Sequence, residues 1–317
     1  MRRLRTLVVF AAAVLVAALA ALPYGPAPAS ISHAPAPAGA LAAFPRPPAP
    51  VAPSHGPAPA NPGDFHFVLL GDRTGEAQPG VWERVWREAA AANPAFVLGV
   101  GDTIQGGDDA TAESEWREVA TLLAPYARFP LYLAPGNHDV WSPASEELFR
   151  KYARRPLHYG FDHGAAHFTV LDNSRADQFS PEELAFLESD LRQHQAQGVK
   201  FIVSHRPSWI VDAALRNTGF ALHKLARQYG VRYVIAGHVH QLLHVDLEGV
   251  SYVSVPSAGG HLRLSARYQD GWFFGYTVVT VRGADAAFEI RELPAPYGQG
   301  RVTSLADWGL TGLSARQ

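Results

Sequence analysis

The chain has no cysteine, which excludes disulfide cross-links, thiolate ligands and lipoprotein processing. Nor has it an excess of positive charge. Its 27 basic and 29 acidic side chains give a formal charge of −2, so there is no electrostatic footprint for nucleic acid. No internal repeat is visible. The one extended apolar run, Leu7 to Leu22, lies behind Arg2, Arg3 and Arg5. A basic start, an apolar core and the small-residue site Ala27-Pro28-Ala29 read as an export signal over residues 1–29. The run is slightly long for a signal core and slightly short for a span, so a cleaved signal and an N-terminal membrane anchor both fit. Either places the rest of the chain outside the cytoplasm, as an exported protein that is secreted, periplasmic or held at the cell surface.

From Pro23 to Pro62 the chain is almost all Ala and Pro, with no apolar period and nothing to bury. Residues 30–63 therefore read as a semi-extended linker. The folded domain is expected over 64–293. The tail, 294–317, has few core-like residues and is expected to pack loosely or be disordered.

Within the domain, helical spacing appears at Val81, Trp82, Val85, Trp86 and Ala89, and again from Trp116 to Leu123. Further helices are predicted at Ser145–Tyr152, from Ser180-Pro181 to about Gln195, and from Phe220 to Gln228 with Gly230 closing it. Alternating strands are predicted at Phe168–Leu171, Tyr252–Val255, Tyr276–Val281 and Phe288–Ile290. Leu157–Phe161 and Phe168–Leu171 suggest a hairpin.

Five short blocks, each behind an apolar run that reads as a buried strand, carry the chemistry: Gly71-Asp72, Gly101-Asp102, Gly136-Asn137-His138-Asp139, Ser204-His205 and Gly237-His238-Val239-His240. Apolar runs alternating with amphipathic helices imply a parallel sheet, whose ligand crevice lies beyond the carboxyl ends of its strands. Two Asp, one Asn and three His on one rim make a metal site for a divalent or trivalent ion such as Mn, Fe or Zn. The donors are too many for one tetrahedral ion, and two ions sharing a carboxylate account for the number. With the leader removed, 24 basic and 29 acidic side chains remain, about −5. That balance favours a small anionic substrate over a polyanion.

The five blocks resemble the calcineurin-like metallophosphoesterase superfamily, which includes the purple acid phosphatases, over roughly Phe65 to His261. The resemblance implies an α/β fold: a four-layer α/β/β/α sandwich of two mixed sheets flanked by helices, with a dinuclear centre. Asp102 is then the bridge, Asn137, His205 and His238 hold one ion, and Asp72 and His240 hold the other. His138, oriented by Asp139, would then sit beside the phosphate and protonate the leaving oxygen or stabilise charge in the transition state. Hydroxide held between the ions would attack phosphorus in line. One departure stands out. The common first block is Asp-x-His, whereas this chain has Asp72-Arg73-Thr74. Purple acid phosphatases also lack that His and use a Tyr three residues after the second Asp, a position held here by Gln105. Gln105 is thus the expected amide-oxygen ligand, with Thr74 the lesser choice. Arg73 is expected as a phosphate clamp, which leans the reading slightly towards a monoesterase; an ion-pairing surface Arg is the alternative, and Arg206, beside His205, is the weaker candidate for the same task. Trp141 and Trp209 lie on loops that either overlook the site or pack as caps. A competing function is a pseudoenzyme or binding protein for a phosphorylated ligand.

Overall fold

A computed structural model describes residues 63–309 and 312–313; the leader and nearly all of the linker lie outside the described residues. In chain order the elements are β1 (Phe65–Leu70), α1 (Val81–Ala91), β2 (Val97–Gly99), α2 (Asp109–Leu123), β3 (Leu131–Leu133), α3 (Pro143–Ala153), β4 (Tyr159–His163) and β5 (Ala166–Val170). They continue with α4 (Pro181–Gln193), β6 (Val199–Val203), α5 (Ile210–Ala214), α6 (Ala221–Gln228), β7 (Tyr233–Ala236), β8 (Leu243–Leu247) and β9 (Val250–Ser254). The last are β10 (Gly275–Arg282), β11 (Asp285–Glu292), β12 (Val302–Ser304), β13 (Trp308–Gly309) and β14 (Gly312–Leu313).

Helix starts follow from local chemistry. Ser142 accepts the amide of Ser145 at the head of α3, and Ser180 accepts that of Glu183 at the head of α4, each with proline in the first turn. The five apolar positions of α1 are all buried on one face.

Two six-stranded sheets form, ordered β12-β11-β10-β1-β2-β3 and β4-β5-β6-β7-β9-β8. Strands β1 to β3 are parallel and β10 is antiparallel to β1; in the second sheet β5, β6, β7 and β9 are parallel, with antiparallel edges β4 and β8. Both faces of each sheet are covered, which is why the strands read as continuous apolar runs. On β1, Phe67 and Leu69 face the second sheet, while Val68 and Leu70 face α1 to α3. Phe67, Phe96, Phe168 and Phe201 fill the inter-sheet layer, with the Phe168 and Phe201 rings stacked at 4.7 Å. Helices α4 to α6 cover the outer face of the second sheet. The result is the four-layer α/β/β/α sandwich.

The low count of core-like residues after Leu293 predicts a loose tail, and the structure differs. β12 pairs antiparallel with β11, and Trp308 is buried against Tyr268 and Phe273. Its indole donates to Thr303 Oγ1 at 2.7 Å. One indole with a long-range partner fixes a segment whose other residues give no pattern.

A second departure from a plain core lies on β5. His167 is fully buried between two carboxylates, with Nδ1 2.7 Å from Asp162 and Nε2 2.9 Å from Asp190. Burial opposes its charged form, but the two carboxylates override this and raise its pKa; Asp190 is depressed, burial being outweighed by bonds from His167 and Thr169. A raised histidine stabilises the fold fully below the unfolded value of about 6.5 and loses that contribution as pH rises through the folded value. A depressed Asp190 contributes above the ordinary carboxylate range and loses it as pH falls. Urea unfolding should therefore show stability declining from pH 6 to pH 9, with a shallower decline in His167→Gln. An equal slope in both proteins would remove the pair from the account.

Candidate metal centre

Each donor sits where a strand of one sheet or the other ends, and the two sheets bring their ends to one rim. Asp72 follows β1, Asp102 follows β2, and the 136–139 block follows β3. His205 follows β6, and His238 and His240 follow β7. Three donors, Asp102, His238 and His240, have left-handed backbone (φ 54°, 67° and 57°). Such conformations cost about 1–3 kcal/mol in non-glycine residues and persist only where the surroundings impose them. Glycines make the approach possible. A Cβ on Gly136 would lie 2.2 Å from Asp102 Oδ1, and one on Gly237 would lie 2.4 Å from Asp72 Oδ1.

The geometry forms two groups that share one residue. Donor atoms of Asp102, His205 and His238 lie within 4.8 Å of one another, and so do those of Asp72, Asp102 and His240. His205 Nε2 is 2.9 Å from Asn137 Oδ1, 3.1 Å from His238 Nδ1 and 3.3 Å from Asp102 Oδ1. Carbonyls orient the imidazoles from behind. His205 Nδ1 faces the Val100 carbonyl at 3.0 Å, and His240 Nδ1 faces that of His261 at 2.8 Å. Those bonds turn each Nε2 inward, towards Asp102 and Asp72 respectively.

Among the described residues, two buried atoms of this set lack a hydrogen bond: Asp102 Oδ2 and His240 Nε2. His240 Nε2 lies 3.3 Å from Asp72 Oδ2. Acceptors converging without a donor suit cations. Charge follows the same logic. Burial opposes ionisation of Asp102, yet His205, His138 and His238 around it hold its pKa well below the usual carboxylate range. Burial also opposes the His205 charge, but Asp102 overrides it and lifts the imidazole to about 8. His238 is depressed by burial, then by the His205 charge. The donor set fits two cations bridged by Asp102.

His138 presents its main-chain N–H to Asp102 Oδ1 at 3.0 Å and is buried at the rim. Its orientation differs from expectation. Asp139 does not touch the His138 ring; its carboxylate accepts the amides of Thr103, Ile104 and Gly136 at 2.8, 3.1 and 3.0 Å. Neighbours in a tight turn point opposite ways, so Asp139 ties the second and third blocks together. Burial, then the Asp102 charge, raise it to about 6 against those three amides. The partner of His138 Nδ1 is the Gln105 carbonyl.

Arg73 also departs from expectation. Its guanidinium turns away from the donors, to the Thr103 carbonyl at 3.1 Å and Glu118 at 3.0 Å. It joins the first block to α2 and is not placed as a phosphate clamp. The side-chain oxygen of Gln105 accepts the hydroxyl of buried Thr74. Trp209 is fully buried in the core beneath α4 to α6, and Trp141 packs against the core of the other face. Both are packing residues. His261 reaches the site through its carbonyl, not its ring.

Asn173 was not legible in the sequence. Its Oδ1 accepts the amides of His205 and Arg206 at 3.1 and 3.0 Å, and its Nδ2 donates to the Arg206 carbonyl at 2.8 Å. It fixes the main chain of the fourth block. Only its place in the loop just past β5, the strand that pairs with β6, hints at this.

A two-sheet sandwich with a shared-carboxylate donor set on one rim defines a metal-centred phosphoesterase architecture. The chain belongs to the calcineurin-like phosphoesterase family, whose model matches residues 63–242, more than half of its length. It is 26% identical over 201 residues to the 3',5'-cyclic adenosine monophosphate phosphodiesterase CpdA of Escherichia coli, covering 61% of this chain and 70% of that protein. Among solved structures, purple acid phosphatase PPD1 from yellow lupin superposes with a TM-score of 0.59 at 16% identity, covering 82% of this chain and 58% of that one. A dimetal phosphatase from Danio rerio gives 0.54 at 13% identity, covering 79% and 99%. At such identities the two structures speak for the fold alone.

Proposed function

We propose that this protein is an exported, metal-dependent phosphoric ester hydrolase acting on a small phosphorylated substrate. The observation that carries the reading is the shared Asp102 between two donor groups, with its Oδ2 lacking any hydrogen bond among the described residues. Asn137, His205 and His238 would hold one cation, and Asp72 and His240 the other. Gln105 is proposed as a further oxygen donor to the second, positioned by the Thr74 hydroxyl. Two such ions, Mn, Fe or Zn, would supply charge neutralisation at phosphorus and acidify a water for in-line displacement.

The protein's own groups do the rest. Asp102 and Asp72 set the charge of the site. The carbonyls of Val100 and His261 fix two imidazole tautomers. His138, held through Nδ1 by the Gln105 carbonyl, is the group proposed to move a proton to the leaving oxygen. Export rests on the leader's composition. Among the described residues no helix is long and apolar enough to cross a membrane.

The direct check is hydrolysis of p-nitrophenyl phosphate and bis(p-nitrophenyl) phosphate by the purified chain with added Mn. Turnover of either that chelation abolishes and Mn restores is the expected result. No turnover of either ester with metal bound would favour the pseudoenzyme.

A further inference from the structure

Arg206 directly follows the donor His205, and its guanidinium returns to the rim of the donor set. Its Nη1 lies 3.5 Å from His238 Nε2 and donates to Asp177 Oδ1 at 2.8 Å, while Nε donates to the Ser174 carbonyl at 3.3 Å. The side chain is 19% exposed, so it is held in place yet reachable. Its main chain is gripped by Asn173 on both sides of the peptide. Asp177 is different. It is 67% exposed and, among the described residues, makes no other hydrogen bond or ion pair. Exposed ion pairs of this kind contribute little to stability and exchange readily.

A planar guanidinium matches two oxygens of a phosphate. With Arg73 directed to α2, Arg206 is the cation best placed beside the donors.

We propose that Arg206 is the anion clamp of this site, selecting a dianionic phosphate monoester, and that Asp177 is a carboxylate occupying the guanidinium until substrate displaces it. The assignment rests on the phosphoesterase reading and extends it to a substrate class. It makes the two partners of one ion pair act in opposite directions, which a merely structural pair does not do.

The test measures inorganic phosphate binding by calorimetry on the Mn-loaded full chain, with metal content checked in every variant. Arg206→Ala should weaken phosphate binding ~10- to 100-fold, the range for losing a charge-assisted bond. Arg206→Lys, which keeps the charge without the fork, should fall between. Asp177→Ala should tighten phosphate binding ~2- to 5-fold, the size of an exposed ion pair. On esters, Arg206→Ala should lower kcat/KM for p-nitrophenyl phosphate ~10- to 100-fold but for the bis ester less than ~3-fold, because the diester carries one charge fewer. Equal losses on both esters, weaker phosphate binding in Asp177→Ala, or loss of metal in Arg206→Lys would each overturn the clamp. Hydrolysis by the wild type with Arg206→Ala unchanged defeats the clamp alone. A metal-loaded wild type that neither binds phosphate nor cleaves either ester defeats the reading beneath it.

Discussion

Asp102→Asn should lower the hydrolysis rate by at least ~10³-fold and reduce bound metal from two ions per chain to one or none. A single stabilising donor near a developing charge is already worth about 10²- to 10³-fold, and this residue serves both donor groups. Asparagine keeps the shape and tolerates the φ of 54° at this position, so the fold should survive. It keeps one oxygen but loses the charge. Removing a fully buried carboxylate can leave the metal-free protein as stable as before, since burying an ion is itself costly. The stabilisation added by metal should vanish instead. In thermal unfolding, Mn should raise the Tm of the wild type, because ions that bind only the folded state stabilise it by mass action. It should leave Asp102→Asn nearly unmoved. A variant that retained both ions and most activity would remove Asp102 from the bridge.

His138→Gln should behave in another way. Metal content should stay at the wild-type level, because the donor groups do not include its side chain. The rate should fall by about 10²- to 10⁴-fold, the span of a lost general acid. That loss should depend on the leaving group. It should be large for an alkyl phosphate, whose alkoxide needs a proton, and much smaller for p-nitrophenyl phosphate, whose phenolate leaves unaided. A uniform loss across leaving groups would make His138 a charge-stabilising or positioning group. Loss of metal would mean that its hold on Gln105 and Asp102 is structural.

The donor set was legible because each residue sits at a strand end, and the rim of a parallel sheet collects such ends whatever the loops do. The strands themselves were legible as apolar runs because helices and the opposite sheet cover both faces. Direction within a turn was not legible. Asp139 stands next to His138 in sequence, yet it faces the amides of Thr103 and Ile104. Arg73 stands next to Asp72, yet it faces Glu118 on α2. Adjacency along a loop carries no information on which side of the backbone a side chain takes. Asn173 and the His261 carbonyl were hidden for a different reason. Both act on main-chain atoms or through them, and such contacts leave no residue-type signature. The tail was hidden because Trp308 finds its partners, Tyr268 and Phe273, some forty residues earlier.

The proposed hydrolase requires two cations that share Asp102 at the rim of this sandwich. Metal content by mass spectrometry on the purified full chain, expressed and dialysed with Mn, tests it most directly. Two ions per chain in the wild type, falling to one or none in Asp102→Asn, is the predicted result. At most one ion in the wild type, or a count unaffected by the loss of Asp102, would contradict the shared centre.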